Sequence, residues 1–187
     1  VKAKKKIAWL HFDYASPPRE DALYLHYFSK CDKVVTVSKK IEASLKQALP
    51  EIADKVMTME NIIDAEDILQ RASEPCDLAD DVRGIRLLTV GRICHQKGYD
   101  MAIPAIARLV SGKNDIKWYI IGDGEAIDKE NLHERIRKYG LQDRVSFLGI
   151  RQNPYPYMKA CDIYLQPSRH EGKPIAVEEA KILQKPI

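Results

Sequence analysis

Short apolar runs of strand length alternate with segments of helical period along almost the whole of this 187-residue chain. No other feature restricts the possible fold as much. Strand-like runs fall at 6–12 (KIAWLHF), 33–37 (KVVTV), 55–59 (KVMTM), 86–90 (RLLTV), 116–121 (IKWYII), 145–148 and 162–166 (DIYLQ). Between them, 21–29 has helical character, and Ser38 is placed to cap a helix that runs to Leu49 and stops at Pro50. Ile103, Ile106, Ala107 and Val110 repeat at helical spacing before Gly112, and Leu132, Ile136 and Tyr139 do so before Gly140. A short helix is predicted at 155–161 and a last one from about Pro174, a residue suited to a first turn because no N–H donor is needed there. Nearly continuous apolar strands joined by helices predict a parallel sheet covered on both faces, a Rossmann-like α/β fold.

Residues 64–81 break the rhythm. They are polar, include Pro75, and read as a linker with one turn of helix in it. The predicted organisation is therefore 1–63 as the tail of one α/β domain, 64–84 as linker, and 85–187 as most of a second domain. The sequence does not begin with Met and stops at Lys185-Pro186-Ile187, where a further strand is due, so it is read as a fragment incomplete at both ends.

Composition narrows the partners. A net charge of +3 suits an anionic ligand such as a diphosphate but is far from the basic excess of a nucleic-acid binder. The N-terminal Lys2, Lys4, Lys5 and Lys6 read as a solvated charge run. Cys31, Cys76, Cys94 and Cys161 stand far apart with no CxxC pair, which argues against a zinc site or disulfide framework and fits a reducing cytoplasm. No apolar stretch approaches the roughly 18 residues of a membrane span, and the N-terminus has no apolar core of a signal peptide.

In an open parallel sheet, ligands gather at the carboxyl ends of the strands. Four segments there carry glycine or charge: 91–98, 122–125, 149–151 and 168–179. Tight strand-to-helix turns need glycine in any case, so no one loop decides the matter. In the last segment Gly172 and Pro174 prepare a helix start whose free N–H groups form an anion site. Glu171 stands before that helix and Glu179 more than a turn inside it. Glu178 and Glu179 point about 100° apart, so only one of them can face the cleft. Carboxylates accept hydrogen bonds from hydroxyls, so two of them around an anion site suit a ligand with hydroxyls on both sides of a phosphate, as in a nucleotide-sugar. Glutamates early in a helix also complement its dipole without any ligand. A glycosidase acid pair fits less well, because one carboxylate would lie inside a helix.

Arg92, directly after a strand, and Lys97, five positions on, can converge on one diphosphate, the first as a planar fork and the second as a point charge. An isolated Arg and Lys in a loop are otherwise ordinary surface residues. The segment is neither a Walker loop nor a dinucleotide fingerprint, since GxxxxGK[ST] and GxGxxG are both absent.

Taken together and in order, VGRICHQKG (90–98), IIGDGE (120–125), VSFLG (145–149) and above all DIYLQPSRHEGKPIAVEEA (162–180) resemble the group 1 family of retaining GT-B glycosyltransferases. Looser matches are WLHF, VTVSKKI and ENIID. The resemblance implies that 85–187 is the C-terminal donor-binding domain and 1–63 the end of the N-terminal acceptor domain. It implies that Arg92 and Lys97 hold the donor diphosphate, Glu179 the ribose hydroxyls and Glu171 the transferred sugar. Gly172, Lys173, Pro174, Ile175 and Ala176 would present backbone to sugar and phosphate. Gly91 and Gly122 would line the donor site, the loop from Gly149 to Arg151 would lie against the base, and His11 would stand near the reacting sugar. Two departures are visible: Lys173 replaces an aromatic residue or leucine, and Glu60-Asn61-Ile62 replaces PNG.

The implied reaction moves a sugar from a nucleoside diphosphate, UDP by family default, to an acceptor hydroxyl with retention of anomeric configuration. Neither a metal nor a cofactor is expected. The implied setting is bacterial surface polysaccharide or glycolipid synthesis, with a saccharide or lipid-linked acceptor, no nucleic acid, and a cytoplasmic location with at most peripheral attachment to the inner membrane face. The rival readings are a sugar-nucleotide epimerase or phosphorylase of the same fold and a non-catalytic nucleotide-sugar-binding module.

Overall fold

A computed structural model describes residues 3–14, 20–78 and 83–187. The chain forms two compact units, one of Val1–Ile62 with His170–Pro174 and the other of Ile63–Arg169 with Ile175–Ile187. Both are α/β units built on parallel sheets, as the alternation predicts.

The first unit carries β1 (Ile7–Leu10), α1 (Asp21–Phe28), β2 (Lys33–Thr36), α2 (Lys39–Ala48) and β3 (Val56–Thr58), with strand order β1-β2-β3. Ser38 caps α2 as expected, its Oγ accepting from the Ile41 N–H at 3.3 Å. Leu10, Phe28, Val34, Leu45, Ile52 and Val56 pack together as the core. Of the N-terminal lysines, Lys2 lies outside the described residues, whereas Lys4, Lys5 and Lys6 are exposed.

Glu42 on α2 joins that helix to β3. Its carboxylate accepts from Lys46 at 2.7 Å and from the Thr58 hydroxyl at 2.5 Å. These donors, the Lys46 bond foremost, lower its pKa from 4.5 to about 2. A carboxylate with a depressed folded-state pKa adds stability above its unfolded value, and that contribution fades as pH falls through the folded value. Glu42→Gln should therefore remove part of the acid sensitivity between pH 4.5 and about 2. Urea midpoints across that range test this; parallel wild-type and variant curves would rule out a role for Glu42.

The second unit runs α3 (Ala65–Arg71), β4 (Ile85–Val90), α4 (Tyr99–Ser111), β5 (Ile116–Ile121), α5 (Ala126–Lys138), β6 (Val145–Gly149), α6 (Tyr155–Ala160), β7 (Ile163–Tyr164) and α7 (Ile175–Ile182). Its strand order is β6-β5-β4-β7, parallel throughout. Because strand side chains alternate between faces, Leu87, Ile116, Trp118, Ile120 and Val145 meet α4 and α5. Leu88, Tyr119, Ile121 and Tyr164 face α3, α6 and α7 instead. Both faces are covered, which is why the strands read as unbroken apolar runs.

Within 64–84, read from sequence as a linker, residues 65–71 form α3. Asp64 caps it, accepting from the Asp67 N–H at 3.1 Å, and Ile68 and Ala72 are buried in the unit's core. A helix this short buries too few apolar residues to show a period. The 162–166 run pairs with β4 only at Ile163 and Tyr164. Just beyond the paired residues, the Leu165 N–H donates to the Leu88 carbonyl at 2.7 Å and the Leu165 carbonyl accepts from Thr89 Oγ1 at 2.7 Å.

Candidate functional site

In the second unit the chain leaves β4 for β5 on one side, and β7 returns on the other. The switch point of the sheet thus lies between β4 and β7, where an open α/β sheet presents its crevice. The loops leaving these two strands start at Gly91 and Leu165.

The loop after β4 is tightly fixed. Tyr99 donates its hydroxyl to the Gly91 carbonyl at 3.1 Å, and the Ile93 N–H donates to Asp123 O at 2.8 Å. Residues His95–Lys97 make one 3-10 turn, and Gly98 follows in the left-handed region at φ 67°. A side chain at Gly98 would stand 2.1 Å from the Pro167 carbonyl, so the two loops can meet only through glycine. Lys97 folds back over Gly91, its Nζ 3.4 Å from where a Gly91 Cβ would be. Arg92 is exposed, and its guanidinium makes no hydrogen bond or ion pair among the described residues.

Arg169 stitches the two loops together, a role sequence reading missed. Its Nη atoms meet both oxygens of Asp100 at 2.7 and 2.8 Å, Nη1 also donates to the His95 carbonyl at 2.8 Å, and its N–H donates to Gln96 O at 2.9 Å. The Arg169 fork holds the Asp100 carboxyl below the usual carboxylate range. Arg169 lies inside the strongest motif, but nothing in sequence pairs it with a residue 69 positions away.

Gly122 owes its identity to packing. Its φ is 144°, and a Cβ there would be 2.0 Å from the Gly91 carbonyl. Gly124 has the same relation to Ile93 O, at 2.1 Å. The GxG pair lets the loop after β5 run against the loop after β4, where Ile93 and Gly124 form an isolated parallel bridge. Gly122→Ala should cost about 1–3 kcal/mol of stability through backbone strain and overpacking. Thermal melting would show it; an unchanged midpoint would mean that the loops part without cost.

On α7 the two adjacent glutamates diverge as predicted. Glu178 pairs with Lys181 at 2.9 Å, while Glu179 Oε1 accepts from the Tyr155 hydroxyl on α6 at 3.0 Å. The helix begins at Ile175, one residue after Pro174; Ile175 is exposed and Ala176 packs against the core. At the end of β6, Gly149 is left-handed at φ 70° with open space around it. Arg151 is engaged: Nε donates to the Tyr157 hydroxyl at 2.9 Å and Nη2 meets Asp77 at 3.2 Å. What this loop offers freely is therefore backbone rather than the Arg151 guanidinium.

The first unit contains His11, Glu171, Gly172, Lys173 and Pro174. Gly172 lies against the end of β1: a Cβ would be 2.5 Å from His11 O and 3.2 Å from Phe12 Cα. His11 is exposed, with its ring parallel to Trp9 at 6.2 Å. Glu171 is half-buried. The two departures noted in sequence prove to be partners, Lys173 Nζ meeting Glu60 Oε2 at 2.8 Å, and this bond lowers the Glu60 pKa.

Among the described residues no cluster of three His, Cys, Asp or Glu side chains could hold a metal ion, and no helix is long and apolar enough to cross a membrane. A groove of about 440 Å³ between α4 and α5, lined by Tyr99, Asp100, Asp128, Leu132 and Arg135, contains none of the candidate site residues named from sequence.

Comparison with known proteins bears on this arrangement. The family model described as "Glycosyl transferases group 1" matches residues 75–187. An uncharacterized glycosyltransferase of Methanocaldococcus jannaschii is 27% identical over 169 residues, covering 88% of this chain and 41% of that protein. The N-acetylgalactosamine-N,N'-diacetylbacillosaminyl-diphospho-undecaprenol 4-alpha-N-acetylgalactosaminyltransferase of Campylobacter jejuni is 34% identical over 145 residues, covering 78% of this chain and 37% of its own length. This chain thus spans about two-fifths of the length of those relatives. Among solved structures, Anabaena HepE with UDP and glucose superposes with a TM-score of 0.78 at 21% identity, over 96% of this chain and 51% of that one. S. aureus TarM gives 0.78 at 15% identity, over 97% and 36%. At such identities the structural likeness establishes the GT-B α/β fold alone. The family match covers more than half of the 187 residues, and the chain belongs to the group 1 glycosyl transferases.

Proposed function

We propose that this chain supplies the donor-binding part of a retaining glycosyltransferase that moves a sugar from a UDP-sugar to an acceptor hydroxyl. The observation that carries the reading is the loop after β4: an exposed Arg92 with no side-chain partner among the described residues, beside Lys97, on a backbone pinned at the switch point of the sheet. Two cations on a pre-organised loop suit a diphosphate whose negative charge grows as the glycosidic bond breaks. Arg92 and Lys97 hold that diphosphate, and Glu179 accepts hydrogen bonds from the ribose hydroxyls. Glu171 contacts the transferred sugar, with residues 172–176 presenting backbone N–H groups and His11 standing near the reacting carbon. The backbone of 149–151 lies against the base, flanked by Gly91 and Gly122 of the neighbouring loops. The cationic loop takes the place of a metal, and no cofactor is needed.

UDP is chosen because HepE was crystallised with it. A lipid-linked or saccharide acceptor in bacterial surface-glycan synthesis is chosen because the Campylobacter enzyme is named for a diphospho-undecaprenol substrate and a 29% identical Escherichia coli protein for O-antigen biosynthesis. The enzyme would work in the cytoplasm, at most peripherally attached to the inner membrane face. Calorimetry with UDP, GDP, ADP and CDP, beside a transfer assay on the full-length enzyme, tests this. UDP should bind most tightly and transfer should retain configuration. An inverted product would refute the mechanism, and binding without transfer would favour a non-catalytic module.

A further inference from the structure

Tyr155 is anchored independently of its hydroxyl. Its N–H donates to Asn153 Oδ1 at 3.2 Å, and Asn153 Nδ2 is bound to the Arg71 carbonyl and to Glu74 Oε2, both at 2.9 Å. The Arg71 guanidinium lies 4.9 Å from the centre of the Tyr155 ring and is itself tied to Asp67 and to the Gln152 carbonyl. This leaves the phenol one evident task, the 3.0 Å bond to Glu179 Oε1.

A glutamate side chain on a helix has three torsions to lose before it can receive a ligand, so a neighbour that fixes its rotamer lowers the cost of binding. We propose that Tyr155 is a positioning residue for Glu179, donating to Oε1 so that the carboxylate stands ready to accept the vicinal hydroxyls of a nucleotide ribose. The inference rests on the reading of Glu179 as the ribose acceptor. Burial, followed by the bond to Glu179, raises the phenol's pKa to about 12, so the hydroxyl keeps its proton and acts as donor throughout the physiological range.

The test compares UDP with 2′,3′-dideoxy-UDP by calorimetry on the full-length enzyme and its Tyr155→Phe and Glu179→Gln variants. Phenylalanine keeps the ring under Arg71 and removes only the hydroxyl. Tyr155→Phe should weaken UDP binding about tenfold, as loss of a bond to a charged group does, and leave dideoxy-UDP binding unchanged. Equal weakening toward both ligands, or no weakening toward either, would overturn the positioning role. If Glu179→Gln left the preference for UDP over dideoxy-UDP intact, the ribose reading of Glu179 would fall, and the role of Tyr155 with it. A preference lost in Glu179→Gln but kept in Tyr155→Phe would remove the inference alone.

Discussion

Arg92→Ala and Lys97→Ala, each made in the full-length enzyme, should lower kcat/KM for sugar transfer by about 30- to 900-fold, or about 2–4 kcal/mol of transition-state stabilisation. The size follows from preorganisation. The loop between Gly91 and Gly98 is held by Tyr99, by the backbone of 123–124 and by the Arg169–Asp100 pair, so on the proposed reading its cations would be in place before charge develops on a departing diphosphate. The Arg92 guanidinium spends no hydrogen bond among the described residues, so its removal leaves none of their buried groups unsatisfied, and melting temperature should move little. Arg92→Lys should recover only part of the loss, because an ammonium lacks the two-pronged fork. Gly91→Ala is a milder probe of the same geometry. The atoms nearest its Cβ would be the flexible end of Lys97, with Cε at 3.2 Å, so it should displace the ammonium without unfolding the loop. Steady-state kinetics with kcat and KM resolved, beside melting curves, check all four variants. Turnover at the wild-type rate in Arg92→Ala would end the assignment.

Where the sequence is legible, a single local rule suffices. Residues 116–121 are a strand in sequence and in structure alike, because both faces of a central strand are buried and the apolar run has no break. Ser38 announces α2 because its hydroxyl alone can meet a free N–H of the first turn. The divergence of Glu178 and Glu179 follows from helical pitch. What stays hidden depends on partners far along the chain. Arg169 and Asp100, Lys173 and Glu60, and Tyr155 and Glu179 are joined by topology, which no periodicity encodes. Arg151 shows the converse case. The motif makes it a donor-site candidate, yet its guanidinium is committed to Tyr157 and Asp77. The candidate cations Arg92 and Lys97 are thus nameable from sequence, whereas the long-range pairs that fix the loops around them are not.

One such support should dominate stability. Trp118 is fully buried on β5, stacks on Tyr99 at 5.8 Å, and donates its indole N–H to Thr89 Oγ1 on β4 at 3.0 Å. Thr89 in turn donates to Leu165 O at 2.7 Å, so one relay crosses three strands and ends where β7 opens into the loop bearing Arg169. Trp118→Ala empties the centre of the core against α4 and should cost about 3–5 kcal/mol. Trp118→Phe keeps most of the volume and leaves only an acceptor site on Thr89 unused, so it should cost about 1–2 kcal/mol. Thr89→Val is close to isosteric but strands both the indole N–H and the Leu165 carbonyl, and should fall between them at about 2–4 kcal/mol. Urea midpoints followed by far-ultraviolet circular dichroism, at unchanged m, give the order. A hydrophobic contribution alone would make Thr89→Val neutral or stabilising, so its rank against Trp118→Phe decides whether the relay or mere packing fixes the exit of β7. If Thr89→Val is as stable as wild type, the short strand is positioned by its two sheet pairs and the relay contributes nothing.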